Sequence, residues 1–371
     1  MSSEASVRVV IVDDSAFMRH ALRRMLERDP RIEIVGTAKD GEEGVELALT
    51  LAPDVVTMDV EMRGIGGLEA LRRIVARGAE SPSVIMVSAL TTLGAQTTLE
   101  ALHIGAVDFV AKPTQDVANA MADLAGELQA KVKAAAHTRI TPRRVPATAS
   151  RRVRQVRCND RIVAIGASTG GVEALKLVLM GLPAECPPIL ITQHMPPRFT
   201  TAFAERLNRE CPMTVSEAMH GELVEPNHVY IAPGSHHLEL VHTGGHYRCS
   251  LSDGPTVSGH RPSVDVLFRS VARVAKKIAI AAILTGMGKD GAEGLLELRA
   301  AGAITLGQDE ASSLIYGMPR AAFERGAVMR QYSLSHMADA IIDACDAESK
   351  AQDTNLGRMI RAASSNTNVG G

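Results

Sequence analysis

Three residues at the ends of apolar runs carry the chemistry this chain is best equipped for: Ser168, His194 and Asp290. The stretch Arg161-Ile-Val-Ala-Ile-Gly-Ala-Ser-Thr-Gly-Gly-Val172 passes from a β-branched run into a Gly/Ser loop and then a helical pattern. That is a strand–turn–helix, and in a parallel sheet such a turn lies at the carboxyl end of its strand, where ligands bind; Gly166, Gly170 and Gly171 clear space around the Ser168 hydroxyl. The text also satisfies G-x-S-x-G, in which a strained turn holds a nucleophilic serine before backbone N–H groups. A glycine turn cradling a phosphate at a helix N-terminus reads the same way. His194 follows the run Pro188 to Gln193, and Asp290 lies in Thr285-Gly-Met-Gly-Lys-Asp-Gly291 after the run Ile278 to Leu284. An imidazole that removes the serine proton and a carboxylate that orients and stabilises the imidazolium would complete a nucleophilic hydrolase site. Taken singly, His194 also reads as a zinc ligand, with seven further histidines between His220 and His260, and Asp290 as a helix N-cap.

A second constellation lies earlier. Asp13 and Asp14 follow the run Val7 to Val12, Asp59 follows Asp54 to Met58, Ser88 follows Ser83 to Val87, and Lys112 follows Ala106 to Val110. Three crowded carboxylates repel one another unless they hold a hard divalent cation, for which Mg²⁺ is the natural occupant, with lysine balancing the remaining charge.

Strand and helix patterns must bring these residues together. Helical periodicity over Ala16 to Glu27, Gly41 to Leu51 and Gly67 to Arg77 alternates with the early strands, which implies a doubly wound parallel sheet. Alternation resumes after residue 160, with helices over Val172 to Met180, Phe199 to Glu210, Ser263 to Ala275, Ala292 to Ala301 and Ser335 to Cys345. Between Thr214 and Ser252 the elements shorten, and Pro233-Gly-Ser and Thr243-Gly-Gly punctuate them, which predicts an antiparallel insertion with a hairpin. The fold class is therefore α/β, with two doubly wound parallel-sheet domains.

Composition agrees. The 371 residues are 46% hydrophobic and 22% charged, enough for two cores at about 150 residues per domain. Aromatic content of 3%, no Trp and a net charge of −2 leave little for stacking on bases or for a generally basic surface. Five scattered cysteines without C-x-x-C fit a reducing compartment. With no charged-then-apolar leader before the first strand and no long apolar run, a cytoplasmic protein is expected.

The acidic pair, the lone Asp59, Ser88 and the Lys112-Pro113 pair, each after its own strand, resemble the receiver domain of two-component response regulators over residues 7 to about 127. The resemblance implies a flavodoxin-like domain in which Asp59 accepts a phosphoryl group from a histidine kinase. Asp14, Asp59 and the carbonyl of Glu61, beside Asp13, would hold Mg²⁺; Lys112 would meet the phosphoryl oxygens, and Ser88 and Phe109 would form the switch pair. Met62-Arg-Gly-Ile-Gly-Gly67 departs from the family's Met-Pro and Asp-Gly turn; losing proline frees φ, and the added glycines raise loop entropy.

Ile165-Gly-Ala-Ser-Thr-Gly-Gly171, Gln193-His-Met-Pro196, His260-Arg-Pro-Ser-Val-Asp265 and Thr285-Gly-Met-Gly-Lys-Asp-Gly291 resemble the catalytic domain of the chemotaxis protein-glutamate methylesterases, the CheB family. The order Ser, His, Asp differs from the Ser, Asp, His of α/β-hydrolases. The resemblance implies a Rossmann-like esterase domain over 158–347 that hydrolyses glutamate methyl esters on chemoreceptors, releasing methanol, and deamidates receptor glutamines. Its oxyanion hole would be formed by backbone N–H groups near Thr169 and Met287, its site would need no cofactor, and the enzyme would meet membranes only through its receptors. The receiver would lie over the serine rim until phosphorylated, and a chain starting near Arg157 would be active without a phosphodonor.

Residues 128–157, with seven arginines and no acid from His137 to Arg157, read as a tether between domains, and residues 348–371 as a disordered tail. A nucleic-acid arm is the competing reading of the arginines, but no recognition helix follows, so no nucleic-acid partner is expected. A non-catalytic output domain that binds a phosphate-bearing ligand is the competing reading of the second domain.

Overall fold

The computed structural model of the chain describes residues 6–112, 117–136 and 161–346. The first unit alternates β1 (Val7–Val12), α1 (Ala16–Leu26), β2 (Ile32–Ala38), α2 (Gly41–Thr50), β3 (Val55–Asp59), α3 (Gly66–Val75), β4 (Ser83–Ala89), α4 (Thr92–Ile104), β5 (Asp108–Lys112) and α5 (Val117–Ala136). Its strands pair in the order β2-β1-β3-β4-β5, all parallel. Runs such as Val55-Val-Thr-Met-Asp59 are buried throughout, as strands covered by helices on both faces must be. Ser15, Asp40 and Thr91 each accept a backbone N–H at the start of a helix, which sets where α1, α2 and α4 begin.

The second unit runs β6 (Ile162–Ala167), α6 (Gly171–Gly181), β7 (Ile189–Gln193), α7 (Phe199–Glu210), β8 (Thr214–Glu217), β9 (His228–Ile231), β10 (His237–Thr243) and β11 (His246–Ser252). It continues with α8 (Val264–Val274), β12 (Ala279–Ile283), α9 (Ala292–Ala300), β13 (Ile304–Gln308), α10 (Met318–Glu324), β14 (Arg330–Tyr332) and a closing helix, α11, over 334–346. The sheet order is β14-β13-β12-β6-β7-β9-β8, with every neighbour parallel. The chain winds outward from β6 in one direction and then, from β12, in the other, so the strand order reverses between β6 and β12. Ligand crevices in open parallel sheets form at such a point.

Two expectations need correction, and two short elements went unread. Only β10 and β11 make the antiparallel excursion, turning through Gly244 and Gly245, both with positive φ. β8 and β9 instead extend the main sheet, Ile189–Ile191 pairing in parallel with Val229–Ile231. Strands this short do not show their partner in their own pattern. The short α10 and the three-residue β14 carry too little periodicity to be read from sequence. Helix α5 continues to Ala136, into the stretch 128–157 read as tether. The remainder of that stretch and the tail 348–371 lie outside the described residues.

Phe268 of α8 is fully buried among Ala164, Ile283, Leu295 and their neighbours, whereas Phe323 of α10 is half exposed. Phe268→Ala should destabilise the second unit by about 3–5 kcal/mol, and Phe323→Ala by less than about 0.5 kcal/mol, as read from urea midpoints.

Candidate active site

β6, β7 and β12 lie side by side, so the residues just beyond their carboxyl ends share one rim. Ala167 pairs with Gln193 and Gly166 with Ile283, which places Ser168, His194 and the loop 284–290 together. The Ser168 N–H donates to the Thr285 carbonyl at 3.0 Å, and the His194 N–H to the Ala167 carbonyl at 3.2 Å. The amide of Gln193 donates to the carbonyls of both Ser168 (3.0 Å) and His194 (3.2 Å), tying the two turns together. Glycine at 286 is required by close approach, since a Cβ there would stand 2.8 Å from Ser168 Cβ. The Gln193 side chain lies where a Cβ of Gly171 would point, and the Gly171 N–H is taken by the Ser168 carbonyl at 2.7 Å.

His194 Nε2 lies 2.7 Å from Asp290 Oδ2. The other ring nitrogen, Nδ1, is buried and has no partner among the described residues. Asp290 is 1% exposed. Its carboxylate also accepts the Ser263 hydroxyl at 2.8 Å and the N–H groups of Val264 (2.7 Å) and Asp265 (3.2 Å), the open first turn of α8. Burial works to raise its pKa, but the hydrogen bond and charge of His194, then the donors of Val264 and Ser263, outweigh it and hold the carboxyl below its ordinary range. Asp290 is thus both imidazole partner and helix cap, yet it caps α8 and not the helix that follows it. Asp265 caps that one, accepting the Gly294 N–H of α9 at 2.7 Å. Neither the Thr169 nor the Met287 N–H has an acceptor among the described hydrogen bonds, and no hydrogen bond joins the Ser168 hydroxyl to His194.

On the first sheet, Asp13, Asp14 and Asp59 present oxygens within 4.8 Å of one another, the one group of metal-ligating side chains so spaced among the described residues. Lys112 Nζ lies 2.7 Å from Asp59 and 3.0 Å from Asp13. Burial raises the Asp59 pKa to about 6 against the pull of Lys112, and the Glu61 N–H reaches its Oδ1 at 3.3 Å. One lysine against three carboxylates leaves net negative charge in an all-oxygen donor set, which fits a hard divalent cation. The glycine-rich loop after Asp59 is packed tightly, for a Cβ on Gly67 would overlap the Asp59 carbonyl. The Ser88 hydroxyl faces α4, donating to the Gly94 carbonyl at 3.2 Å.

The side of the first unit formed by β5, α4 and α5 meets the rim of the second sheet. Phe109 stacks on Phe199 with centroids 4.5 Å apart, and the Thr169 hydroxyl donates to Asp108 Oδ2 at 2.5 Å. Lys131 of α5 lies 3.4 Å from Asp108 and 5.4 Å from the Phe109 ring centroid. Arg198 and Arg206 donate to the carbonyls of Leu90 (3.1 Å) and Leu99 (2.6 Å) around α4.

Several site residues were not foreseen. Ser263 and the N–H groups beside it, the Gln193 amide, the Asp108–Thr169 bond and the stacking of His260 on His194 arise between segments far apart in sequence. The prior signals were the motifs from Gln193 to Pro196 and from His260 to Asp265 and the turn that holds Thr169. Arg261 donates to the carbonyls of Asp253 and Gly254, at 2.8 and 2.9 Å.

These two sheets and their rims are those of a response regulator with a hydrolase output domain. Residues 9–122 match the response regulator receiver domain model, and residues 163–341 match the CheB methylesterase model. A relative from Xanthomonas campestris, named protein-glutamate methylesterase/protein-glutamine glutaminase 1, is 48% identical over 357 residues, covering 92% of this chain and 98% of its own. One of the same name from Caulobacter vibrioides is 51% identical over 346 residues, covering 92% and 99%. The crystal structure of the Thermotoga maritima CheB methylesterase catalytic domain shares 37% identity at a TM-score of 0.49, covering 49% of this chain and 97% of that one. The chain belongs to the protein-glutamate methylesterase/protein-glutamine glutaminase family. No helix among the described residues is long and apolar enough to cross a membrane.

A Cβ on Gly166 would overlap Val264 at the start of α8. Gly166→Ala should therefore cost about 1–3 kcal/mol through overpacking, and Val264→Ala in the same chain should recover part of that loss in thermal unfolding.

Proposed function

We propose that this chain is a serine hydrolase that demethylates glutamate methyl esters, and deamidates glutamines, on the signalling helices of chemoreceptors, and that its receiver restrains it until a histidine kinase phosphorylates Asp59. The observation that carries this reading is the buried His194–Asp290 pair, one imidazole nitrogen engaged and the other free, on the rim where the Ser168 turn lies. In this reading Nδ1 of His194 takes the Ser168 proton as Oγ attacks the ester carbonyl. The N–H groups of Thr169 and Met287 receive the developing oxyanion. The imidazolium returns the proton to the leaving methanol, and a water activated by the same nitrogen hydrolyses the acyl-serine to the glutamate carboxylate. Deamidation follows the same course with ammonia leaving. Asp290, held ionised by its donors, keeps the tautomer and offsets the imidazolium charge. The Ser168–His194 hydrogen bond, absent in the free site, tightens when substrate is bound, as is common in such sites.

On the receiver, Asp13, Asp14 and Asp59, with the carbonyl of Glu61, would hold Mg²⁺, whose charge lets a phosphoryl anion approach the carboxylates. Asp59 attacks the phosphoryl group and Lys112 binds its oxygens. Ser88 then leaves the Gly94 carbonyl to face the phosphoryl group, and Phe109 moves with it. Because Phe109 is also the residue stacked on Phe199, that movement loosens the docked face and shifts the population toward an open rim.

Ser168→Ala and His194→Ala should each cut methanol release from methylated receptor by at least about a thousandfold, with the double variant no slower than either. Asp290→Asn should be impaired less than Ser168→Ala, since the amide still orients the ring; an unimpaired rate would leave Asp290 only its capping role. Phe199→Ala should raise the rate several-fold without a phosphodonor, while Asp59→Asn keeps the basal rate and loses its stimulation by acetyl phosphate and Mg²⁺. A basal rate unchanged in Phe199→Ala would rule out restraint through this contact.

A further inference from the structure

His260 has no part in the proton relay above, yet its ring lies flat on that of His194, with centroids 3.7 Å apart and planes within 14° of parallel. The backbone fixes it there. Val257 and His260 exchange two hydrogen bonds of 3.0 Å around Ser258 and Gly259, both with positive φ, and three residues on, Ser263 donates to Asp290. One short segment therefore holds the carboxylate partner of His194 and covers the face of its ring.

His194 needs such a support. Its side chain has one hydrogen bond, at Nε2, and an imidazole tethered at one atom is free to tilt and to swing Nδ1 away from a nucleophile. A misplacement of about 1 Å costs on the order of 100-fold in rate. Burial first, then the neighbouring His194 and Lys131, push the His260 pKa down to about 4, against Asp290 and Glu127, so the ring is neutral near neutral pH. A neutral aromatic face also attracts a cation laid on it.

We propose that His260 is a positioning residue: its ring, stacked on His194, holds the imidazole in the plane from which Nδ1 meets Ser168 and supports the imidazolium once the serine proton has arrived. The stacking face carries the effect, so an aromatic ring without nitrogens would serve. This rests on the roles proposed above for Ser168 and His194.

The test uses the full chain with Mg²⁺ and acetyl phosphate, following methanol release from methyl-esterified receptor for separate kcat and KM. His260→Ala and His260→Gln should lower kcat about 10- to 100-fold, with KM within about twofold of wild type. His260→Phe should retain kcat within about threefold of wild type. A general loss of structure would not spare the phenylalanine variant, and it would lower the melting temperature of the second unit. Near-wild-type kcat in both the alanine and glutamine variants overturns the proposal, and so does a phenylalanine variant as slow as the glutamine one. Ser168→Ala in the same assay separates the two failures. If it keeps turning over, the serine-hydrolase reading itself is wrong; if it is inactive while His260→Ala is fast, only the role of His260 fails.

Discussion

A single buried carboxylate organises the second domain. Asp290 is almost wholly removed from water, and an ionised carboxylate there would cost several kcal/mol without partners. It has four: the His194 ring, the Ser263 hydroxyl and the two leading N–H groups of α8. Asp265 in turn closes the start of α9. Each helix is thus capped from the other's leading segment, and neither aspartate can be placed without both helices. Gly166 and Gly291 make room for Val264, and Gly294 makes room for Phe268, so the approach of α8 to the sheet is set by residues that lack a side chain.

Much of this was legible in the sequence because parallel sheets are simple in one respect: all strands end on the same side. Once Val7–Val12, Val55–Asp59 and Ile162–Ala167 are recognised as buried strands, Asp13, Asp59 and Ser168 must stand on rims, and His194 and Asp290 join them by the same rule. What stayed hidden was non-local. The Asp in a Gly-rich loop suggested a helix cap, but only the fold shows that it caps the helix before β12. β9 belongs to the same run of short strands as the hairpin; its parallel pairing with β7 depends on where the chain returns after residue 217. The face-to-face histidines have no sequence signature, since 66 positions separate them.

The interface between the two domains is built from residues that already have work elsewhere. Phe109 belongs to the receiver's core and also stacks on Phe199; Asp108 sits beside Lys131 and also takes the hydroxyl of Thr169, the residue after Ser168. Contacts around α4 add Arg198 and Arg206. A separate lid would need its own means of sensing phosphorylation, whereas here the strand that carries Lys112 also carries the docked surface.

That sharing makes the coupling run in both directions. If the docked esterase domain favours the resting placement of Phe109 and the Ser88–Gly94 bond, it lowers the receiver's affinity for the phosphorylated state by the same factor by which phosphorylation weakens docking. The output domain is in that sense an effector of its own input. Under the proposed control, receptor helices bound to the exposed rim would remove that counterweight, so substrate would make the receiver easier to charge, and the enzyme would respond to the coincidence of kinase signal and methylated receptor more steeply than to either one.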